Sequence, residues 1–148
     1  MIPDPHSISS VDKACVINLH HHDHPQGKIS VIENYPARVL PFDVRRVFYL
    51  YDVPADSNRG GHSHFCGQEL IVAISGSFEV ELHDGVKSQR WRLDRPYKGL
   101  YVPTGLWRTI DNFSGGAVCM VLTSIEYSEE DYVRDFERFL TLTAPKRQ

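Results

Sequence analysis

The 148-residue chain lacks several features that would point to particular classes of function. It has no apolar run as long as a membrane span, and its N-terminus lacks the charged start and apolar core of a signal peptide. With 16 basic and 19 acidic residues, it also has no basic excess of the kind that attracts nucleic acid. We therefore expect a cytoplasmic protein that binds neither membranes nor nucleic acid.

Cysteine is scarce and unpatterned, since Cys15, Cys66 and Cys119 are an odd number at wide spacings. This spacing argues against a disulfide framework and against a Cys-x-x-Cys metal or redox site. The run His20–His24 is a possible metal tract, but Pro25 and Gly27 predict a turn after it, so we interpret it as a polar loop.

The chain contains no internal repeat, and its length predicts a single domain over residues 1–148 with a loosely held segment at residues 1–12. What it does contain is a succession of short segments rich in β-branched and aromatic residues and bounded by turn signals. These predicted strands are Ala14–Leu19, Lys28–Glu33, Val44–Val53, Gly60–His64, Glu69–Ser75, Phe78–His83, Ser88–Leu93, Gly99–Val102, Trp107–Asp111 and Ala117–Glu126. The pattern predicts an all-β sandwich or barrel.

One helix is predicted, over residues 129–140. Ser128 is a candidate cap, acidic residues follow it in the first turn, and apolar residues then recur at helical spacing. We expect its apolar stripe to pack against the barrel.

The segment Gly61-His62-Ser63-His64 is followed by Glu69 and Gly76. A His-x-His pair on one strand directs both imidazoles to the same side. This spacing resembles the first sequence motif of the cupin barrels, and residues 99–112 resemble the second. The resemblance implies a double-stranded β-helix, or jelly-roll barrel, with the predicted helix at its C-terminal end.

Arg108 stands where a metal-binding cupin has histidine, so the metal site is one ligand short and we expect no metal. His62, His64 and Glu69 could still bind a metal ion as a two-His-one-carboxylate triad. Alternatively, the two histidines could have no function beyond hydrogen bonds to neighbouring residues. We favour acid–base catalysis, because histidine titrates near neutral pH and two on one face can pass a proton between adjacent substrate atoms.

Cations and aromatic residues near these motifs could bind a substrate. Alternation along the strand at residues 44–51 places Arg46 on one face and Tyr49 and Tyr51 on the other. Arg59 lies three residues before His62, and Arg108 lies in the second motif. An arginine buried in a barrel is stable only beside an anion, so each could bind a phosphate. Trp107 is a candidate to stack on a base or sugar, although core packing is the alternative.

Several blocks in order resemble the nucleotide-sugar 3,4-ketoisomerases of the WxcM-like cupin family, over about residues 25 to 140. The most specific of these blocks are Arg59-Gly60-Gly61-His62-Ser63-His64 and Asp131-Tyr132-Val133-Arg134. The resemblance implies an isomerase that needs no cofactor and converts a dTDP-linked 4-keto-6-deoxy sugar into its 3-keto isomer for deoxysugar and polysaccharide biosynthesis. It also implies a homodimer, often with exchanged strands, and His62 and His64 in the active site. Glu69 departs from the family, which usually has glutamine there.

The chemistry requires a base, an acid and a group that stabilises the enediolate. We assign His62 as the base at C3 and His64 as the residue that orients it or shuttles the proton. Tyr49 or Tyr51 is the expected donor to the sugar oxygens. We expect substrate binding by Arg46, Arg59, Arg108, Trp107 and Glu69, with the diphosphate held by the arginines. A 4-keto-sugar 3,5-epimerase and a non-catalytic sugar-binding cupin are the alternatives.

Overall fold

The computed structural model describes residues 10–35 and 38–147. These residues form twelve strands and one α-helix, α1 (Phe136–Arg147). The strands are β1 (Cys15–Asn18), β2 (His20–His24), β3 (Gly27–Val31), β4 (Arg46–Leu50), β5 (Arg59–His64), β6 (Glu69–Ser75), β7 (Phe78–His83), β8 (Ser88–Leu93), β9 (Lys98–Val102), β10 (Trp107–Asp111), β11 (Val118–Thr123) and β12 (Tyr132–Val133).

Two five-stranded antiparallel sheets enclose the main core. The first has the strand order β1-β9-β6-β11-β4 and the second has the order β12-β5-β10-β7-β8. In β7 the buried residues Phe78, Val80 and Leu82 alternate with half-buried ones, as expected for a strand with one face in the core. Together they face the buried residues of β6, β9 and β11 in one hydrophobic cluster. This is the jelly-roll architecture expected from the sequence, and all ten predicted strands are confirmed.

A second apolar cluster covers part of the outer face of the first sheet. Leu70, Val72 and Leu122 point away from the main core and are buried beneath Leu40 and Phe42. The segment before β4 therefore shields one face of the sheet, while the inner face remains available for the core and for a cavity.

The predicted helix at residues 129–140 is wrong in its first half. Residues 129–131 form a single 3-10 turn, residues 132 and 133 pair with β5, and the α-helix begins only at Phe136. Pairing satisfies the otherwise open edge of β5, and it buries Val133. The helix continues through Arg147, so the tail is helical beyond the predicted end.

The segment His20–His24 is a strand rather than the predicted loop. It pairs with β3 in a two-stranded hairpin that turns at the expected position before Gly27. Nine of the ten strand residues are exposed, which is why the segment shows no alternating pattern.

The predicted loose segment at residues 1–12 is held in place at its end. Val11 is buried, and its N–H donates to the Asp84 carboxylate at 2.9 Å. Residues 1–9 lie outside the described residues. In residues 10–35 and 38–147, no helix is long and apolar enough to cross a membrane.

Candidate active site

The two histidines of β5 lie together on the inner face of the second sheet. His62 lines a cavity, whereas His64 is 4% exposed and lies behind it. Their Nε2 atoms are 3.1 Å apart, which is hydrogen-bonding distance. Because successive side chains alternate along a strand, the His-x-His spacing alone produces this pairing.

A carboxylate completes the arrangement on the far side of His64. Nδ1 of His64 is 2.9 Å from Oδ2 of Asp131. The Asp131 carboxylate also accepts from the backbone N–H of Cys66 at 2.7 Å and of Gly67 at 3.1 Å. Burial alone would raise the pKa of Asp131, but the bonds from His64 and these N–H groups lower it below its ordinary value. Asp131 is therefore a fixed, ionised acceptor.

A buried ion pair lies beside the histidines, between Arg108 on β10 and Glu69 on β6. Arg108 also donates to the carbonyl of Leu106 at 3.2 Å. Burial opposes ionisation of Glu69, but the neighbouring Arg108 guanidinium and His64 lower the pKa of this carboxyl to about 2. The second Glu69 oxygen, Oε2, is 3.5 Å from Nε2 of His64.

The same surroundings keep His62 neutral. Burial lowers the pKa of His62 to about 3, with further contributions from Arg108 and His64. A neutral imidazole at working pH is the form required of a general base.

The cavity in front of His62 has a volume of about 350 Å³, enough for a monosaccharide. Its lining combines apolar and charged residues. Besides His62, it is lined by Glu69, Arg108, Phe48, Leu50, Asn58, Arg59, Ile71, Ile110, Val121, Tyr132 and Arg134.

Tyr132 is a cavity residue that the sequence analysis did not assign to the site. Its ring lies 4.9 Å from that of His62 and 4.4 Å from that of His64, and the guanidinium of Arg134 lies 4.2 Å above it. Its hydroxyl accepts from Nη2 of Arg46 at 3.3 Å. The signal was present in the block Asp131-Tyr132-Val133-Arg134, but the helical interpretation of that block placed these residues on a helix rather than beside β5.

Five predicted site residues do not line this cavity. His64 lies behind His62, Arg46 lies at the edge of the site, and Tyr49, Tyr51 and Trp107 lie elsewhere. Tyr49 and Tyr51 are 61% and 63% exposed and belong to a neighbouring groove of about 250 Å³. Trp107 packs against Phe136 and Phe139 of α1, because it alternates with Arg108 and so points away from the cavity. Arg59 lines both the cavity and the groove.

The face of β4 opposite Tyr49 and Tyr51 is the inward one, since Phe48 and Leu50 line the cavity. Arg46, on the same face, is half-buried and lies against the rings of Phe48 and Tyr127 while it donates to the Tyr132 hydroxyl. It is therefore engaged with aromatic neighbours at the edge of the site.

His62, His64 and Glu69 are the one group of potential metal ligands in residues 10–35 and 38–147, with donor atoms within 4.8 Å of one another. These residues do not fit a divalent cation. Arg108 already pairs with the Glu69 carboxylate, and a metal ion there would lie beside its positive charge.

Comparison with known proteins agrees with this geometry. The family described as "FdtA: WxcM-like, C-terminal" matches residues 12–144. The chain belongs to this family. A relative of the WxcM-like chain, TDP-4-oxo-6-deoxy-alpha-D-glucose-3,4-oxoisomerase from Aneurinibacillus thermoaerophilus, is 36% identical over 124 residues, which are 84% of this chain and 88% of the relative.

Solved structures of similar fold carry related names. A 3,4-ketoisomerase from Helicobacter canadensis is 32% identical, with a TM-score of 0.85 over 89% of this chain and 98% of that one. The ketoisomerase QdtA from Thermoanaerobacterium thermosaccharolyticum is 27% identical, with a TM-score of 0.86 over 93% and 98% of the two chains. That structure is of a histidine-to-asparagine mutant in complex with TDP-4-keto-6-deoxyglucose.

Proposed function

We propose that this WxcM-like chain is a sugar 3,4-ketoisomerase that converts a dTDP-4-keto-6-deoxyhexose into the 3-keto isomer. The observation that carries the proposal is a neutral His62 on the wall of a sugar-sized cavity, with a second histidine 3.1 Å behind it. The relatives named as TDP-sugar isomerases support the choice of substrate.

The reaction moves a carbonyl from C4 to C3 of the sugar. His62 removes the C3 proton, which is acidic because C3 is adjacent to the C4 carbonyl, and the electron pair forms an enediolate. Return of a proton to C4 and transfer of the C3 hydroxyl proton to the C4 oxygen complete the shift, with no net oxidation and no cofactor. One base and one acid near the two carbons therefore suffice.

The enediolate needs donors close to its oxygens. Arg108 lines the cavity, and its buried Nε has no hydrogen-bond partner in the described part of the chain. We assign Arg108 and the hydroxyl of Tyr132 to the sugar oxygens. Tyr132 thus takes the role first expected of Tyr49 or Tyr51, because it is the tyrosine that lines the cavity.

We place the nucleotide in the groove beside the cavity, because the two have lining residues in common. Arg59 lines both, so it is placed to bind a diphosphate that leads from one to the other. The rings of Tyr49 and Tyr51, 5.9 Å apart in the groove, then offer an exposed aromatic surface for the thymine base. Arg46 supports Tyr132 in this arrangement and is not the main phosphate ligand.

We also propose that the protein is a cytoplasmic homodimer. The hairpin of β2 and β3 is exposed at nine of its ten positions, and a two-stranded hairpin is marginal without a further packing surface. A second copy of the chain would supply that surface, and strand exchange would follow if the hairpin reached across. Sedimentation with and without residues 20–31 and cell fractionation test these two statements.

The enzymatic proposal is tested with TDP-4-keto-6-deoxyglucose in D2O, by NMR of the product. A ketoisomerase gives the 3-keto sugar, with deuterium at C4 to the extent that the proton on His62 exchanges with solvent before its return. A 3,5-epimerase gives a 4-keto sugar with deuterium at C3 and C5, and a binding protein gives no product. His62→Asn should lower turnover by about 100-fold or more while TDP binding persists. His83→Asn, outside the cavity, is the control, and near-parental turnover by His62→Asn would contradict the assignment of the base.

A further inference from the structure

The hydrogen bonds behind His62 have a definite direction. An ionised carboxylate only accepts, so Nδ1 of His64, 2.9 Å from Asp131, carries a proton. Nε2 of a neutral His64 then has the lone pair, and it faces Nε2 of His62 at 3.1 Å. His62 must donate from Nε2, which leaves the lone pair of His62 on Nδ1.

The loop after β5 holds Asp131 in place. The backbone N–H groups of Cys66 and Gly67 donate to its two oxygens, and the N–H of Phe65 donates to its main-chain carbonyl at 2.9 Å. A Cβ at position 67 would lie 2.9 Å from Oδ2 of Asp131 and 3.4 Å from the His64 ring. A glycine is therefore required for the loop to approach the carboxylate and the imidazole at once.

We propose that Asp131 is a positioning residue that fixes the tautomer of His64 and thereby makes the histidine pair a proton relay, in which His62 passes its Nε2 proton to His64, between Asp131 and Glu69, as it takes the proton from C3. This inference rests on the proposed ketoisomerase function. It adds a defined location for the positive charge between removal of the C3 proton and delivery of a proton to C4.

Each step of the relay balances. The lone pair on Nδ1 of His62 forms an N–H bond with the C3 proton, and the C–H electron pair enters the enediolate. The Nε2–H bond of His62 breaks as its proton bonds to Nε2 of His64. His64 becomes an imidazolium while the enediolate carries the negative charge. In the return step Nδ1 of His62 gives its proton to C4, and Nε2 of His62 regains a proton from His64.

The charges around the two rings favour storage on His64 rather than on His62. His64 lies 2.9 Å from the Asp131 carboxylate and 3.5 Å from Oε2 of Glu69, an oxygen with no hydrogen-bond partner in the described residues. His62 shares the cavity wall with the cations Arg108, Arg59 and Arg134. Among the other titratable groups nearby, Tyr132 contacts both histidine rings, and Cys66 lies beside Asp131.

The tautomers can be measured directly in the ligand-free protein by 15N NMR of labelled histidine. We expect His64 to be protonated on Nδ1 and His62 on Nε2. In Asp131→Asn the amide N–H₂ can donate to Nδ1 of His64, and we expect the two tautomers to interchange. A parent protein with His64 protonated on Nε2 alone would overturn the proposal, whether or not the variant folds.

Steady-state kinetics of Asp131→Asn distinguish a positioning role of Asp131 from a purely structural one. Asp131→Asn should lower kcat by about 100-fold and shift its pH profile, while KM and the Kd for TDP change less than about threefold. Glu130→Gln, an exposed neighbour, is the control and should behave as the parent. Equal losses in kcat and TDP affinity in Asp131→Asn would contradict the positioning role. Absence of turnover by the parent protein would contradict the proposed ketoisomerase function, but it would not affect the tautomers measured by NMR.

Discussion

The buried pair of Arg108 and Glu69 gives a prediction about stability. Replacing Arg108 by methionine keeps a long unbranched side chain but removes the guanidinium, so the Glu69 carboxylate loses its cation inside the protein. Arg108 is 1% exposed, and water cannot take the place of the lost charge. We expect Arg108→Met to lower the free energy of unfolding by about 3–5 kcal/mol at pH 7, the range for breaking a buried ion pair.

The pKa of Glu69 supports this magnitude. It falls from an ordinary value of 4.5 to about 2 in the folded protein, which corresponds to about 3 kcal/mol. Because the folded pKa is the lower one, this stabilisation is present above pH 4.5 and is lost as the pH falls toward 2. The difference in the free energy of unfolding between the parent and Arg108→Met should therefore decrease as the pH falls from 4.5 toward 2.

Urea denaturation followed by far-UV circular dichroism, at pH 7 and at pH 3.5, measures the effect. The matched control is Lys87→Met, which removes an exposed ion pair with Asp12 at 2.6 Å and should cost less than about 1 kcal/mol. The double variant Glu69→Leu/Arg108→Met, which leaves no unpaired charge, should recover much of the loss. A single variant within 1 kcal/mol of the parent at pH 7, or a loss that does not change with pH, would refute the reasoning.

Three further outcomes are expected. Arg59→Ala should weaken TDP binding in calorimetric titration by about 1.5–3 kcal/mol, as for a charge-assisted hydrogen bond, with exposed Arg95→Ala as the control; unchanged affinity would remove Arg59 from the diphosphate site. Gly76→Ala should lower the free energy of unfolding by about 2–4 kcal/mol in chemical denaturation, because Gly76 has φ 68° and a Cβ there would lie 2.9 Å from Cα of Ala117. Gly115→Ala is the control and should be near neutral, because a Cβ there would have no atom within 4 Å. Activity should persist in chelator, and elemental analysis that shows about one metal ion per chain, together with activity restored by that metal, would contradict this.

Strands with one buried face were predictable from the sequence because burial imposes a period of two. β7 and β10, in which buried and half-buried residues alternate, have the predicted bounds. β6, which is buried on both faces, and β8, which is mostly exposed, also have the predicted bounds, because turn residues flank them. β2 was missed because all five residues are exposed, so its sequence carries no alternation. β12 was missed because it has two residues and is defined only by its pairing with β5.

The candidate active site also has features that the sequence predicts and features that it does not. Local alternation predicted that His62 and His64 point to the same side of β5, and it separated Arg46 from Tyr49 and Tyr51 on β4. The relation of Asp131 to His64 could not be predicted, because the two residues are 67 positions apart and meet only when the C-terminal segment docks on β5. The positions of Tyr49, Tyr51 and Trp107 depend on which face of each strand encloses the cavity, and residue type does not determine that.

The docking of β12 on β5 also affects biosynthesis. The ribosome releases β5, with both histidines, well before it makes the segment that carries Asp131, so the emerging chain has its imidazoles without the carboxylate behind them. Maturation of the catalytic pair is therefore a late event in synthesis. A polypeptide that stops after Ser128 would keep every strand of the first sheet, and we expect it to show no turnover of TDP-4-keto-6-deoxyglucose. Parental turnover by that truncated chain would show that the pair matures without its C-terminal partner.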